Sequence, residues 1–125
     1  MINESEKYTY DVCRKSFLSL WSYANPRGKK GKELCDILVI CGYDIIIISV
    51  KDIKPVDSGD PEIDWERWRK RAIEASAKQI YGAERWLQNN KVVIKNDGKK
   101  GLSVPPRKKQ NIHRIAVAFG GEEQM

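Results

Sequence analysis

The strongest constraint on how this chain folds lies in residues 32–51, KELCDILVICGYDIIIISVK, where two β-branched runs flank Gly42 and Tyr43. Gly42-Tyr43 suits a two-residue turn with glycine where positive φ is required, so residues 33–41 and 44–51 read as the arms of a hairpin. Residues 37–40 and 45–48 do not alternate polar with apolar, so this hairpin must be covered on both faces. Opposed residues then have numbers summing to 85, which sets Asp36 against Ser49, with Lys51 two residues on and on the same side. Directly opposed Cβ atoms lie about 4.5–5.5 Å apart, so Asp36, Ser49 and Lys51 form one polar cluster at the open end of an otherwise apolar hairpin. Buried charge is costly unless it is paired or holds a metal, which makes the cluster a candidate site. An ordinary Asp–Lys pair at a sheet end is the plainer alternative.

The flanks supply the rest of the architecture. Apolar residues at Tyr10, Cys13, Phe17, Leu20 and Trp21 recur at helical spacing, and Asn25-Pro26 ends that helix. Residues 52–61, with Pro55, Gly59 and Pro61, form a loop; Asp60 then caps, and Pro61 opens, a long helix over residues 62–88. Its packing stripe is Trp65, Trp68, Ala72, Ala75, Ala83 and Trp86, and Gly82 within it is expected to permit close approach of another element. A short strand over 92–95, a basic segment, and a last strand over 112–119, ended by Gly120-Gly121, complete the chain. The expected fold is therefore α/β, a mixed central sheet flanked by helices in the order α-β-β-α-β-β. At 125 residues the chain suits one domain spanning 1–125, and its stop soon after a core strand leaves room for a further module in a longer parent protein.

Composition removes several classes of function. No apolar run approaches the roughly 20 residues of a membrane span. Residues 1–7 carry Glu4 and Glu6 and no basic-then-apolar pattern, so a secretory leader is not expected and the location is expected to be cytoplasmic. His113 is the sole histidine, which excludes zinc sites built on several imidazoles; a surface place at a strand end is expected for it. Cys13, Cys35 and Cys41 lack metal-knuckle spacing and read as small buried hydrophobes; on one strand Cys35 and Cys41 would lie about 20 Å apart, too far for a disulfide. The formal net charge of +6 is concentrated in two segments, one with Arg27, Lys29, Lys30 and Lys32, the other with Lys95, Lys99, Lys100, Arg107, Lys108 and Lys109. Basic loops on a near-neutral body suit a polyanion such as nucleic acid, although solvated loops share this composition.

In their order, residues 17–26 (FLSLWSYANP), 32–51 and 72–86 (AIEASAKQIYGAERW) resemble the PD-(D/E)xK nuclease superfamily: an acidic helix, a strand carrying Asp, a strand ending in (Asp/Glu)-x-Lys, and a helix. The resemblance implies a restriction-endonuclease-like core and hydrolysis of phosphodiester bonds with Mg²⁺ or Mn²⁺. It implies a nucleic-acid partner, DNA foremost, and a homodimer if both strands are cut. Asp36 and Glu6 would hold the metal with the Val50 carbonyl, and Lys51 would orient a water and offset charge on the phosphate. Ser49 would hydrogen-bond the hydrated metal, Gln79 would orient the site, and Arg27, Lys29, Lys30, Lys32, Lys99, Lys100, Arg107, Lys108 and Lys109 would contact phosphates.

Ser49 departs from the pattern, since the superfamily places Asp or Glu two residues before the lysine. A hydroxyl is a poorer ligand for a hard cation than a carboxylate, so either another carboxylate enters the site or the metal uses Asp36, the Val50 carbonyl and water. Glu6 is preferred, because positions 6, 10, 13 and 17 share a helical stripe facing the sheet. Glu33, at odd parity to Asp36, is expected to point to the other face unless a bulge intervenes. Two rival readings remain. One is a nuclease-like fold without catalysis that binds nucleic acid or protein; the other is an interaction domain presenting some of Trp21, Trp65, Trp68 and Trp86. A dinucleotide-binding domain is disfavoured, because Gly28-Lys29-Lys30-Gly31 precedes a strand rather than opening a helix.

Overall fold

The computed structural model describes residues 3–17, 21–54 and 57–120, without the side chains of Ser16 and Phe17. Its elements are α1 (Glu4–Phe17), β1 (Ser22–Ala24), β2 (Ile37–Cys41), β3 (Asp44–Asp52), α2 (Pro61–Gln88), β4 (Val92–Ile94), β5 (Lys100–Ser103) and β6 (Asn111–Phe119). Four strands form a mixed sheet in the order β1-β2-β3-β6, with β1, β2 and β3 antiparallel and β6 parallel to β3. The β3-to-β6 connection carries α2 and a separate antiparallel pair, β4 and β5.

The central hairpin follows the expected register: Ile37 pairs with Ile48 and Cys41 with Asp44. Gly42 takes φ +61° while Tyr43 keeps a negative φ, as a type II′ turn requires. Both faces are covered. On one, Leu38, Ile40, Ile45 and Ile47 pack against Ile80, Ala83 and Leu87 of α2. On the other, Ile37, Val39, Ile48 and Val50 pack with Cys13 of α1. Side chains from either side thus reach the same open end of the hairpin, where Asp36 and Ser49 lie.

Several expectations need correction. The first helix does not run to Asn25. α1 ends at Phe17, Trp21 lies outside it, and Ser22–Ala24 is a strand paired with β2. Pairing with an exposed strand edge overrides the helical spacing in so short a segment. Leu20, Pro55 and Gly121 lie outside the described residues. The second basic segment contains β5, so the observed order is α-β-β-β-α-β-β-β. On α2 the packing face is Trp68, Ala72, Ser76, Ile80, Ala83 and Leu87, while Ala75 is exposed. Gly82 admits no close neighbour: a Cβ placed there would find only an Arg85 guanidinium nitrogen, at 3.9 Å. The start of α2 is as expected, with Pro61 in its first turn and the Asp60 carboxylate accepting from the Glu62 and Ile63 amides.

All three cysteines are free; Cys13 and Cys35 are buried, whereas Cys41, next to the turn, is exposed. His113 is exposed on β6 with Nε2 3.1 Å from Asp44. Trp68 is buried and donates to the Ile53 carbonyl, stacking on half-buried Trp65 at 5.3 Å between ring centres; Trp21 and Trp86 are also half-buried. No tryptophan is fully exposed, and three of the four are half-buried. Among the described residues no helix is long and apolar enough to cross a membrane.

Candidate metal centre and its basic cleft

The site is built where β1, β2 and β3 end together. The β1–β2 ladder continues one step past the strands, the Asn25 amide donating to the Asp36 carbonyl at 2.8 Å. Asp36 is buried, and its carboxylate accepts from the Val50 backbone N–H at 2.6 Å. That bond fixes the carboxyl group against the hairpin backbone.

Two further carboxylates converge on it. Glu6, Glu33 and Asp36 each present an oxygen within 4.8 Å of the others. Glu6 is held from two directions. The Asn3 side chain accepts from its amide at 2.8 Å, and the neighbouring Ser5 hydroxyl donates to Asp52 of β3 at 2.7 Å, tying the first turn of α1 to the sheet. Glu33 arrives from the segment before β2. Its expected orientation to the opposite face is wrong, because β2 begins at Ile37 and strand parity does not govern residues 33–36. Asn25, buried with φ +48°, presents its side-chain nitrogen to Glu33 Oε1 at 2.5 Å and to the Asp36 carbonyl at 3.3 Å, the orientation its neighbours require.

The electrostatics are those of an acid cluster in which mutual repulsion outweighs the one cation acting on Glu33. Burial and then the Asp36 carboxylate push Glu33 up to about 7, with the Lys51 ammonium pulling the other way. Glu6 is raised for the same two reasons. Three carboxylates this close repel one another, a repulsion that a proton or a divalent cation would relieve. Oxygen donors alone, with no thiolate or imidazole, suit a hard cation.

Ser49 and Lys51 lie on the α2 side. The fully buried Ser49 hydroxyl donates to Gln79 Oε1 at 2.7 Å, which leaves the Gln79 amide hydrogens for the cleft that this residue lines. The cleft measures about 840 Å³ and runs between residues 29–34 and the C-terminal half of α2. Lys29, Lys30, Lys32, Lys51, Lys78 and Arg85 line it, with Glu33 the only acid among its described lining residues. The structure therefore brings together Glu6, Glu33 and Asp36, and places Lys51 and Gln79 on this cleft with Ser49 buried behind Gln79.

The other basic residues are dispersed. Arg27 spends its guanidinium on the Asn96 and Gly31 carbonyls, at 3.0 and 3.2 Å, and so splints the 29–31 turn to the β4–β5 pair. Lys100 borders a second cleft of about 550 Å³ with Tyr10, Tyr23 and Lys95, and Lys99 lies exposed in the β4–β5 turn. Arg107, Lys108 and Lys109 form a short 3₁₀ turn, with the Lys109 ammonium 5.4 Å from the Tyr43 ring centre at the closed end of the hairpin. Eight strand residues separate Tyr43 from Lys51, roughly 26 Å, so these three cations are remote from the acid cluster. Reading the sequence ranked Glu33 below Glu6 and missed Asn25, Ser5, Asp52, Lys78 and Arg85. Only Lys78 and Arg85 had a signal, their i, i+7 spacing beside Gly82 on one helical stripe.

A family model described as a nuclease-related domain matches residues 3–118. No curated protein and no solved structure matches the chain. The matched span takes in both helices, all three converging carboxylates and the described strands except for the last residue of β6. The chain belongs to the nuclease-related domain family, and with it to the PD-(D/E)xK restriction-endonuclease-like superfamily.

Proposed function

We propose that this chain is a divalent-metal-dependent hydrolase of nucleic-acid phosphodiester bonds, with DNA as its substrate. The observation that carries this reading is the convergence of Glu6, Glu33 and Asp36 beside Lys51, at the head of a cleft lined by six cations. Glu33 takes the part that Ser49 cannot. It enters from the segment before β2 and restores the acid that β3 lacks at Ser49. The three carboxylates would hold Mg²⁺ or Mn²⁺, with the Val50 carbonyl as a neutral donor. Such a cation supplies Lewis-acid polarisation of a phosphoryl oxygen and a more acidic water. Lys51 offsets the negative charge that builds on the phosphate and holds a water by hydrogen bonding. Gln79, its carbonyl held by Ser49, turns its amide donors toward the substrate. Lys29, Lys30 and Lys32 contact backbone phosphates and fix the register of the strand without reading its sequence. Cutting both strands of a duplex would need a second copy of the chain.

The decisive experiment incubates the purified chain with supercoiled and linear DNA and with RNA, in Mg²⁺, Mn²⁺ or EDTA, beside Asp36→Ala and Lys51→Ala. Metal-dependent cutting lost in both variants, each folded by circular dichroism, is the expected result. Intact substrate under every condition would leave a nuclease-like binding module, the second reading that Ser49 favours.

A further inference from the structure

We propose that the cleft between residues 29–34 and the C-terminal half of α2 holds one unpaired polynucleotide strand, laid along the helix toward the carboxylate cluster. This rests on the reading that the site acts on nucleic acid, and it names the form of that substrate.

The walls of the cleft carry the argument. Lys29, Lys30 and Lys32 stand on one side, Lys78 and Arg85 on the other. A duplex has its two backbones on its outer surface and offers a protein one side at a time, whereas cations on both walls neutralise a single backbone running between them. The floor is low and partly apolar, made by Ala75, Gly82, Ala83 and half-buried Trp86. Trp86 gives an aromatic surface on which any base can stack. Gly82 supplies a separate observation. Glycine weakens a helix interior, yet no neighbour of the fold occupies the space that its missing side chain leaves. Packing does not account for it; an open floor against which a sugar–phosphate backbone can lie does. Asn89 and Asn90, at the far end, close the helix by donating to the Arg85 and Trp86 carbonyls at 2.8 and 2.7 Å.

The test measures fluorescence anisotropy of labelled 16-nucleotide oligo-dT, oligo-U and a blunt DNA duplex, in EDTA at low salt, so that binding is read without cleavage. Unpaired strands are expected to bind at least tenfold more tightly than the duplex, and the dT-to-U ratio identifies which strand chemistry the cleft prefers. Gly82→Leu keeps the helix and fills the floor; it should weaken strand binding by tenfold or more, with unfolding temperature unchanged or raised. Lys78→Gln with Arg85→Gln should lower the log–log salt slope by about 1.4, at roughly 0.7 per phosphate contact to a single strand. Lys70→Gln removes an exposed charge elsewhere on α2 and should leave binding unchanged. Duplex binding as tight as strand binding, or strand binding indifferent to Gly82→Leu, overturns the proposal. Strand binding without cleavage in metal would overturn the hydrolase reading alone; cleavage with all these variants binding like the parent would overturn this inference alone.

Discussion

A single carboxylate, Glu33, decides whether the acid cluster is a ligand set or a pair of acids at a helix start. With Asp36 and Glu6 it completes a group of oxygens within 4.8 Å, and its own proton affinity is raised by burial and by Asp36. Replacing it by glutamine removes one charged oxygen from a hard-cation site. Glu33→Gln is expected to weaken Mn²⁺ binding by tenfold or more in titration calorimetry, while raising the unfolding temperature in EDTA, because repulsion is relieved. Unchanged Mn²⁺ affinity would remove Glu33 from the ligand set. Ser5 acts at one remove through Asp52. Ser5→Ala should lower metal affinity severalfold with little loss of stability, since one exposed hydrogen bond is worth about 1 kcal/mol or less. Ser49 and Lys51 were legible as neighbours on one strand face because alternation holds within β3, whereas Asp36 precedes β2 and is placed by its bond to the Val50 N–H. Glu33 was not, because alternation of faces holds only inside a strand, and its position depends on how residues 27–36 leave the β1–β2 ladder.

Among the elements, α2 shows how local signals survive while the packing face shifts. Its start was legible from Asp60-Pro61, since a side-chain acceptor and a residue without an N–H both suit the unsatisfied first turn. Asp60→Ala should destabilise the fold by about 1 kcal/mol in denaturant unfolding. Asp64, in that same turn, is held below the usual carboxylate range by the Ser58 hydroxyl and amide, at 2.6 and 3.0 Å. A carboxyl with a depressed native value contributes stability that is present above its unfolded value, near 3.8, and is lost as pH falls below it. Asp64→Asn should accordingly flatten acid unfolding below about pH 4, as followed by tryptophan fluorescence. The stripe read from tryptophans and alanines was displaced because Ile80 and Leu87 reach deeper into the sheet, leaving Ala75 on the cleft. β1 was illegible for another reason. Three residues carry no period, and only the β2 edge makes them a strand.

For the molecule as a whole, charge placement matters more than net charge. Both basic segments were legible, but their separation was not. The 29–32 turn joins the candidate site, while residues 107–109 sit at the closed end of the hairpin. A cation held by residues from α1, the segment before β2 and the hairpin binds the folded chain and not the unfolded one. At 100 times its dissociation constant it should add about 2.7 kcal/mol of stability. Thermal melts with and without Mn²⁺ should show that gain in the parent and lose it when Glu6, Glu33 and Asp36 are all converted to amides. A gain that persists would place the ion elsewhere.

α1 covers one face of the hairpin yet leaves Tyr8 and Val12 largely exposed, and Cys13 is its deepest described anchor. A helix so lightly held can detach while the sheet stays intact, and its departure would take Glu6 with it. Amide hydrogens of α1 should therefore exchange faster than those of β2 and β3 in EDTA, and slow most when Mn²⁺ is added. Affinity for the ion and the lifetime of the docked helix become two measurements of one equilibrium.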